Sequence, residues 1–215
     1  MKLSAVILAG GESSRMGQDK AWLEAAGQPL ITRAVSIIRD SGIEDILISG
    51  RAGTDYSALR CPVLLDREPG CGPIAGIERA LEATSAPLML VLAVDMPNMS
   101  AAFLRKLADH CDALTGAVPK LNGQLEPLTA IYPQRCRLIA RDCLLKSRLA
   151  ARDFADACLR ERAVRTFVVA RADAACFDNW NTPADVAAPV SREGERPWII
   201  RAPRTDPRSD RSAVK

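Results

Sequence analysis

Residues 87–94 form an unbroken apolar run, PLMLVLAV, which ends at Asp95. A strand with one face in water alternates apolar and polar side chains, whereas a strand covered on both faces is apolar throughout. The run is therefore predicted to be a central strand of a parallel sheet, buried on both faces. Because such a sheet needs helices on both sides, the run favours an α/β fold.

The rest of the chain alternates strand-like and helix-like segments. Strands are predicted at 3–8, 45–49, 61–65, 113–118, 129–132 and 165–169. Helices are predicted at 30–41, 74–84 and 100–110, with helical periodicity over 136–160. Gly42 is predicted to end the first of these helices, and Ser100 is predicted to cap the third. This order predicts a single doubly wound, mostly parallel sheet within one domain, residues 1–187. Ligands of such sheets bind at the carboxyl ends of the strands.

Charge and hydropathy exclude several classes of protein. No apolar run reaches the roughly 20 residues that cross a membrane, so no membrane association is expected. Residues 1–188 contain 22 basic and 22 acidic side chains, a balance that argues against nucleic-acid binding. Residues 188–215 are rich in Arg, Pro and Ser and carry the whole net charge of +3. They are predicted to form a disordered basic tail.

The cysteines indicate a reducing compartment. The chain has seven, an odd number, and no C-x-x-C motif. The N-terminus enters the first predicted strand without a signal-peptide cleavage region. A cytoplasmic location with reduced thiols is therefore expected.

A glycine-rich segment follows the first predicted strand. Residues 8–20 read LAGGESSRMGQDK. Gly10 and Gly11 let backbone N–H groups approach phosphate oxygens closely, and Arg15 and Lys20 supply the charge that a triphosphate requires. The spacing matches neither G-x-x-x-x-G-K-[ST] nor G-x-G-x-x-G. It is interpreted as a polyphosphate site of another kind; the alternative is a glycine turn with two solvated cations.

Two aspartates come directly after predicted strands. Asp95 ends the most apolar strand, where a carboxylate needs a partner. Mg²⁺ at a phosphate site is held by one or two carboxylates together with substrate phosphates, so Asp95 is a candidate metal ligand; alternatively it caps the turn that leads to Pro97. Asp66 can accept hydrogen bonds from a guanine edge or from ribose hydroxyls, or it can be a turn residue.

These segments resemble the molybdenum cofactor guanylyltransferase family of nucleotidyltransferases. The matching motifs are, in family order, residues 8–20, GPIAGI at 72–77, VDMP at 94–97, EPL at 126–128 and NWNTPAD at 179–185. The resemblance covers residues 3–187. It implies a Rossmann-like nucleotidyltransferase fold and the transfer of GMP from GTP to molybdenum-bound molybdopterin. It also implies Mg²⁺ as cofactor, with molybdoenzymes or their chaperones as further partners.

The resemblance assigns roles to individual residues. It implies that Arg15, Lys20 and Asp95 are catalytic and that Asp95 and Asn181 bind Mg²⁺, although Asn181 can equally cap a helix near Pro183. The implied nucleotide-binding residues are Leu8, Ala9, Gly10, Gly11, Ser13, Lys20, Ser49, Asp66, Gly72, Pro73, Gly76 and Asp95. The implied acceptor contacts are Lys120, Asn122 and Glu126.

The start of the loop bears on the choice of nucleotide. The L-A-G-G sequence at residues 8–11 favours GTP, because relatives that transfer CMP tend to have L-A-A-G in this loop. Ser49 stands where the family often has asparagine. Two alternatives remain: a related nucleotidyltransferase that uses CTP or another phosphate acceptor, and a non-catalytic protein that binds and delivers nucleotide or molybdopterin.

Overall fold

A computed structural model of the chain describes residues 2–10, 20–25, 27–65 and 70–180. Its strands are β1 (Leu3–Leu8), β2 (Glu24–Ala25), β3 (Gln28–Pro29), β4 (Asp45–Gly50), β5 (Val63–Leu65), β6 (Leu88–Ala93), β7 (Gly116–Leu121), β8 (Gln124–Leu125), β9 (Thr129–Pro133) and β10 (Val164–Val168). Its helices are α1 (Leu30–Asp40), α2 (Pro73–Ala83), α3 (Ala101–Asp109), α4 (Cys136–Leu145) and α5 (Ala151–Arg160). Short 3₁₀ turns cover Lys20–Trp22, Ser57–Leu59 and Arg171–Phe177.

The main sheet has the strand order β10-β7-β9-β6-β1-β4-β5, with β8 attached to β7. Strand β1 pairs in parallel with β6 and β4, β4 with β5, and β7 with β10. The predicted mostly parallel sheet is therefore confirmed. All six residues of β6 are buried, as its apolar run predicts.

Strand β9 departs from the parallel pattern, because it runs antiparallel to both β6 and β7. Strands β7 and β8 are joined by the two-residue turn at 122–123, and β8 and β9 both run antiparallel to β7. A parallel connection needs a crossover of about a dozen residues or more, so this turn reverses the chain ahead of β8 and β9. Of its two neighbours in the sheet, β6 therefore pairs in parallel only with β1.

Helices cover both faces of the sheet. Helices α1 and α3 pack through Ile31 and Phe103 into a cluster that includes Ile7 of β1. On the other face, Ile77 of α2 joins a second cluster that includes Val6. Neighbouring residues of β1 thus enter opposite cores, which is the alternation expected of a strand buried on both faces.

Local signals explain most helix ends. Gly42 has a φ of +94° and ends α1. Ser100 caps α3 and accepts a hydrogen bond from the Phe103 N–H at 3.1 Å. The predicted periodicity over 136–160 is two helices rather than one, because Ser147 adopts a φ of +54° that a right-handed helix cannot continue through.

The pairing brings one end of every strand in the main sheet to a common edge, hereafter the carboxyl edge. The carboxyl ends of β1, β4, β5, β6, β7 and β10 lie there, together with the start of the reversed β9. In the part of the chain that the structure describes, no helix is long and apolar enough to cross a bilayer. The predicted domain boundary at 187 and the predicted tail lie outside the described residues.

Candidate active site

Lys20 and Asp95 meet at the carboxyl edge. The Lys20 Nζ lies 3.5 Å from the Asp95 Oδ2, and about a fifth of each side chain is exposed. An ion pair this accessible contributes at most about 1 kcal/mol to stability. Its placement at the strand ends, where α/β sheets bind ligands, is better explained by function: the ammonium can bind a phosphate and the carboxylate can bind a metal ion.

The backbone around Asp95 is held by hydrogen bonds on both sides. The Val94 N–H donates to the Leu8 carbonyl at 3.2 Å, which joins the end of β6 to the end of β1. The Trp180 N–H donates to the Asp95 carbonyl at 2.9 Å. The carboxylate therefore extends from a fixed backbone.

The start of the glycine-rich loop lies against the end of β4. The Ala9 N–H donates to the Ser49 carbonyl at 2.8 Å. A Cβ added to Gly10 would lie 3.4 Å from the Gly50 oxygen, so the chain passes close to that strand. The loop thus leaves the sheet between β4 and β6. The predicted phosphate-binding residues Gly11, Ser13 and Arg15 lie outside the described residues.

Leu8, Ser49 and Gly76 pack together, and this contact explains the glycine. A Cβ at Gly76 would overlap the Ser49 hydroxyl and would lie 3.2 Å from the Leu8 Cδ2. Ser49 is only 3% exposed, beneath helix α2. Gly76 therefore lets α2 lie close to the sheet, a packing role that its motif did not reveal. Its predicted nucleotide contact, and that of Ser49, stay predictions.

Helix α2 begins at the carboxyl edge. Gly72, the residue before it, has a φ of +66°, a conformation that glycine adopts without strain. Pro73 is its first residue, where the missing N–H costs no helical hydrogen bond. The N–H groups and dipole of a helix N-terminus favour anions, which suits a nucleotide site. Asp66, predicted to bind the nucleotide, lies outside the described residues.

The predicted acceptor contacts lie at the same edge, on the far side of β9. Lys120 is at the end of β7, and Asn122, with a φ of +49°, begins the turn to β8. The Glu126 N–H donates to the Pro119 carbonyl at 2.9 Å. Burial raises the pKa of the Glu126 carboxyl, and the nearby Arg152 guanidinium opposes this rise.

Arg152 lies beside the predicted acceptor contacts, and sequence reasoning did not single it out. Its Nη2 donates to the Gln124 Oε1 at 3.3 Å, and with Lys120 it lines a cavity between α5 and the β7–β8 hairpin. No motif marks Arg152, because it reaches the cavity through the packing of α5. It adds a second cation to the acceptor side.

The described residues fit a magnesium ion held mainly by the substrate. Within the described ranges, no group of three or more His, Cys, Asp or Glu side chains could hold a metal ion. Mg²⁺ at phosphate sites needs only one or two carboxylates, with water and phosphate as the other ligands, and Asp95 can supply one. Asn181 lies outside the described residues, but its neighbour Trp180 bonds to the Asp95 backbone.

A lysine–carboxylate pair and a glycine-led helix N-terminus at the carboxyl edge are typical of nucleotide-binding α/β proteins. Within this class, residues 5–160 match the profile of the MobA-like NTP transferase domain. The chain belongs to this family, a family of nucleotidyltransferases, as its motifs predict.

Individual relatives agree with this membership. The chain is 37% identical over 186 residues to a probable molybdenum cofactor guanylyltransferase of Opitutus terrae, an overlap of 85% of this chain and 92% of the relative. It is 32% identical over 206 residues to a protein of the same name from Pelotomaculum thermopropionicum, covering 93% and 100% of the two chains. The crystal structure of molybdopterin-guanine dinucleotide biosynthesis protein A from Archaeoglobus fulgidus has the same fold. Its TM-score is 0.66 at 24% identity, over 86% of this chain and 95% of that chain.

Proposed function

We propose that this protein transfers GMP from GTP to molybdenum-bound molybdopterin, with pyrophosphate and the guanine dinucleotide cofactor as products. The observation that carries the proposal is the pairing of Lys20 with Asp95 at the carboxyl edge. Asp95 follows β6, which lies between β1, the strand before the glycine-rich segment, and β9, the strand after the predicted acceptor contacts. The names of the two sequence relatives support the choice of substrates.

The chemistry needs no nucleophile from the protein. An acceptor phosphate oxygen, already ionised near neutral pH, attacks the α-phosphorus of GTP in line. The bond from that phosphorus to the bridging oxygen breaks, and pyrophosphate leaves with the electron pair. Negative charge grows on the α-phosphate and on the leaving group. Lys20 and Arg15 stabilise this charge. They are effective because the protein positions them before the transition state forms, so that no reorganisation is needed during the reaction.

Lys20 exchanges partners during the reaction cycle. Without nucleotide its ammonium offsets the Asp95 carboxylate. With nucleotide bound it turns to the phosphates, and Asp95 becomes available as a metal ligand. Asp95 and Asn181 are the residues that would hold Mg²⁺, which supplies charge neutralisation at the phosphate oxygens when bound.

The acceptor binds beyond β9. Since β9 separates β6 from β7 and neighbouring strands are about 4.8 Å apart, Asp95 and Lys120 extend from strands about 10 Å apart. This spacing suits two substrates whose phosphates meet between them. Lys120, Asn122, Glu126 and Arg152 would bind the acceptor, and Lys120 and Arg152 line the same cavity.

The nucleotide is the point on which the alternatives differ. The L-A-G-G sequence at residues 8–11 favours GTP, and a related enzyme that uses CTP or another phosphate acceptor is the second candidate. A non-catalytic protein that delivers nucleotide or molybdopterin to molybdoenzymes or their chaperones is the third. The cytoplasmic location expected from the cysteines suits all three.

The test incubates purified protein with molybdenum-bound molybdopterin, Mg²⁺ and each of GTP, CTP, ATP and UTP in turn. Release of pyrophosphate and a guanine dinucleotide product, identified by mass, are expected with GTP alone. A cytosine dinucleotide product would instead support the second candidate, an enzyme that uses CTP. Tight binding of nucleotide without pyrophosphate release would favour the delivery protein.

A further inference from the structure

Helix α1 reaches across to the loop that carries Asp95. The Arg33 Nε donates to the Pro97 carbonyl at 2.7 Å. Arg33 is half-buried and Pro97 is buried, so water competes weakly for this bond. The bond restrains the backbone two residues beyond Asp95.

The same helix is joined to the backbone of Lys20. The Leu30 N–H, at the first residue of α1, donates to the Leu23 carbonyl at 2.8 Å. The Leu23 N–H in turn donates to the Lys20 carbonyl at 3.2 Å. Ala21, between them in the 3₁₀ turn, is fully buried. Lys20 therefore moves with the start of α1.

Two links thus join the same two segments. One is the Lys20–Asp95 ion pair, which is accessible to ligands, and the other is the Arg33–Pro97 bond, which is more sheltered. We infer that Arg33 is a positioning residue that sets the separation of Lys20 and Asp95. This inference rests on the proposed function, because it concerns the site at which nucleotide and metal would bind.

The position of Arg33 within α1 supports this inference. Arg33 is the fourth residue of the helix, and the first turn contains no acidic side chain. A cation near a helix N-terminus opposes the helix dipole, so the arginine is not explained by helix stability.

Other bonds hold the Asp95 loop, which makes a folded variant attainable. The Thr129 hydroxyl donates to the Met96 Sδ at 2.8 Å, and the Trp180 N–H donates to the Asp95 carbonyl. Loss of Arg33 should therefore shift the loop without unfolding the protein.

The chain offers a matched control in Arg105. Its Nη1 donates to the Asp40 carbonyl at 2.7 Å and so joins α3 to the opposite end of α1. Like Arg33, it bonds a backbone carbonyl across a similar sequence separation, but it is far along α1 from Lys20. Arg105→Ala removes a comparable bond without touching the site.

The experiment compares Arg33→Ala, Arg105→Ala and wild type by guanylyl transfer and by Mn²⁺ binding in the presence of GTP, followed by electron paramagnetic resonance. In Arg33→Ala we expect kcat to fall by about 10²-fold, the cost of a misplacement near 1 Å. We also expect weaker Mn²⁺ binding and little change in the KM for GTP. Arg105→Ala should match wild type in all three.

Wild-type kcat and Mn²⁺ affinity in Arg33→Ala, or equal losses in Arg105→Ala, would overturn the inference. If Arg33→Ala does not fold, Arg33→Met decides, because it keeps an aliphatic side chain and removes the donor to the Pro97 carbonyl: weaker Mn²⁺ binding supports a positioning role and unchanged binding refutes it. A wild-type protein that transfers no GMP would defeat the proposed function alone, because the Mn²⁺ titration with GTP does not depend on turnover.

Discussion

The backbone N–H of Trp180 donates to the carbonyl oxygen of Asp95 at 2.9 Å, so the last described residue of the chain is bonded to the end of the central strand. Trp180 is 7% exposed and packs into the core cluster that also contains Met99 and Phe103. The segment after β10 therefore contributes to the stability of the site as well as to that of the fold.

Removal of the Trp180 side chain should test this contribution. Trp180→Ala is expected to lower the free energy of unfolding by about 3–5 kcal/mol, the range for truncating a buried tryptophan. Urea denaturation followed by circular dichroism measures the change. Trp198→Ala, in the predicted tail, is the control and should leave the unfolding midpoint unchanged; a comparable loss there would contradict the predicted domain boundary at 187.

Substitution of Asp95 should separate catalysis from stability. Asp95→Ala is expected to abolish Mg²⁺-dependent pyrophosphate release, because Asp95 is the proposed protein ligand of the metal. The free energy of unfolding should change by less than about 1 kcal/mol, since the Lys20 pair is accessible to solvent. Activity near the wild-type level would remove Asp95 from the proposed mechanism.

Lys20→Met should lower kcat by about 10²–10³-fold, the usual cost of losing one donor that stabilises transition-state charge. Its matched control is Lys106→Met, which breaks an ion pair with Asp173. Steady-state pyrophosphate release measures both variants. Equal effects of the two substitutions would indicate that Lys20 acts only through the net charge of the protein and not through a contact in the site.

The close contact of α2 with the sheet predicts a compensating pair of substitutions. Gly76→Ala should destabilise the protein by about 1–3 kcal/mol, because the new methyl group overlaps the Ser49 hydroxyl. Ser49→Gly in the same chain removes the overlapping atoms and should recover part of the loss. Thermal unfolding of the two single variants and the double variant gives the coupling energy; simple additivity would show that the contact is not the cause.

Glu126 predicts a pH dependence of stability. Burial raises the pKa of its carboxyl in the folded protein, so between the unfolded and folded pKa values the folded state binds more protons. The stabilising contribution of the protonated Glu126 carboxyl to the free energy of unfolding is fully present below the unfolded pKa, and it is lost as the pH rises through the folded pKa. Glu126→Gln has no carboxyl to titrate at this position. The free energy of unfolding of the variant, relative to that of wild type, should therefore be higher at pH 7 than at pH 4. Urea titrations at both pH values measure the difference, and a pH-independent difference would contradict the assignment.

The sequence predicted the features that depend on local pattern. The burial of β6, the position of Asp95 at its end, the cap at Ser100 and the glycine stop at Gly42 each follow from residues adjacent in the chain. Hydrophobic periodicity and capping chemistry determine these features, and both can be read from a short stretch of sequence.

The features that sequence reasoning missed depend on contacts between distant residues. The antiparallel position of β9 between β6 and β7 depends on pairing with a strand distant in the chain, and no periodicity reveals it. Strands β2, β3 and β8 have two residues each, too few to display an alternation. Arg33 and Arg152 lie in helices with no motif around them, and only the packing of α1 and α5 brings them to the carboxyl edge.

The reversed strand β9 lies between the strands that precede the proposed nucleotide and acceptor contacts. Residues 122–128 connect β7 to β9 through a hairpin and a short turn at the carboxyl edge, whereas the nucleotide side is built from β1, β4 and β6 on the other side of β9. Insertions or substitutions in the hairpin would reshape the proposed acceptor pocket, and we expect Lys20 and Asp95 to keep their positions. A fold with this division can acquire a new acceptor without redesign of its nucleotide site, so the hairpin is the place at which to engineer acceptor preference.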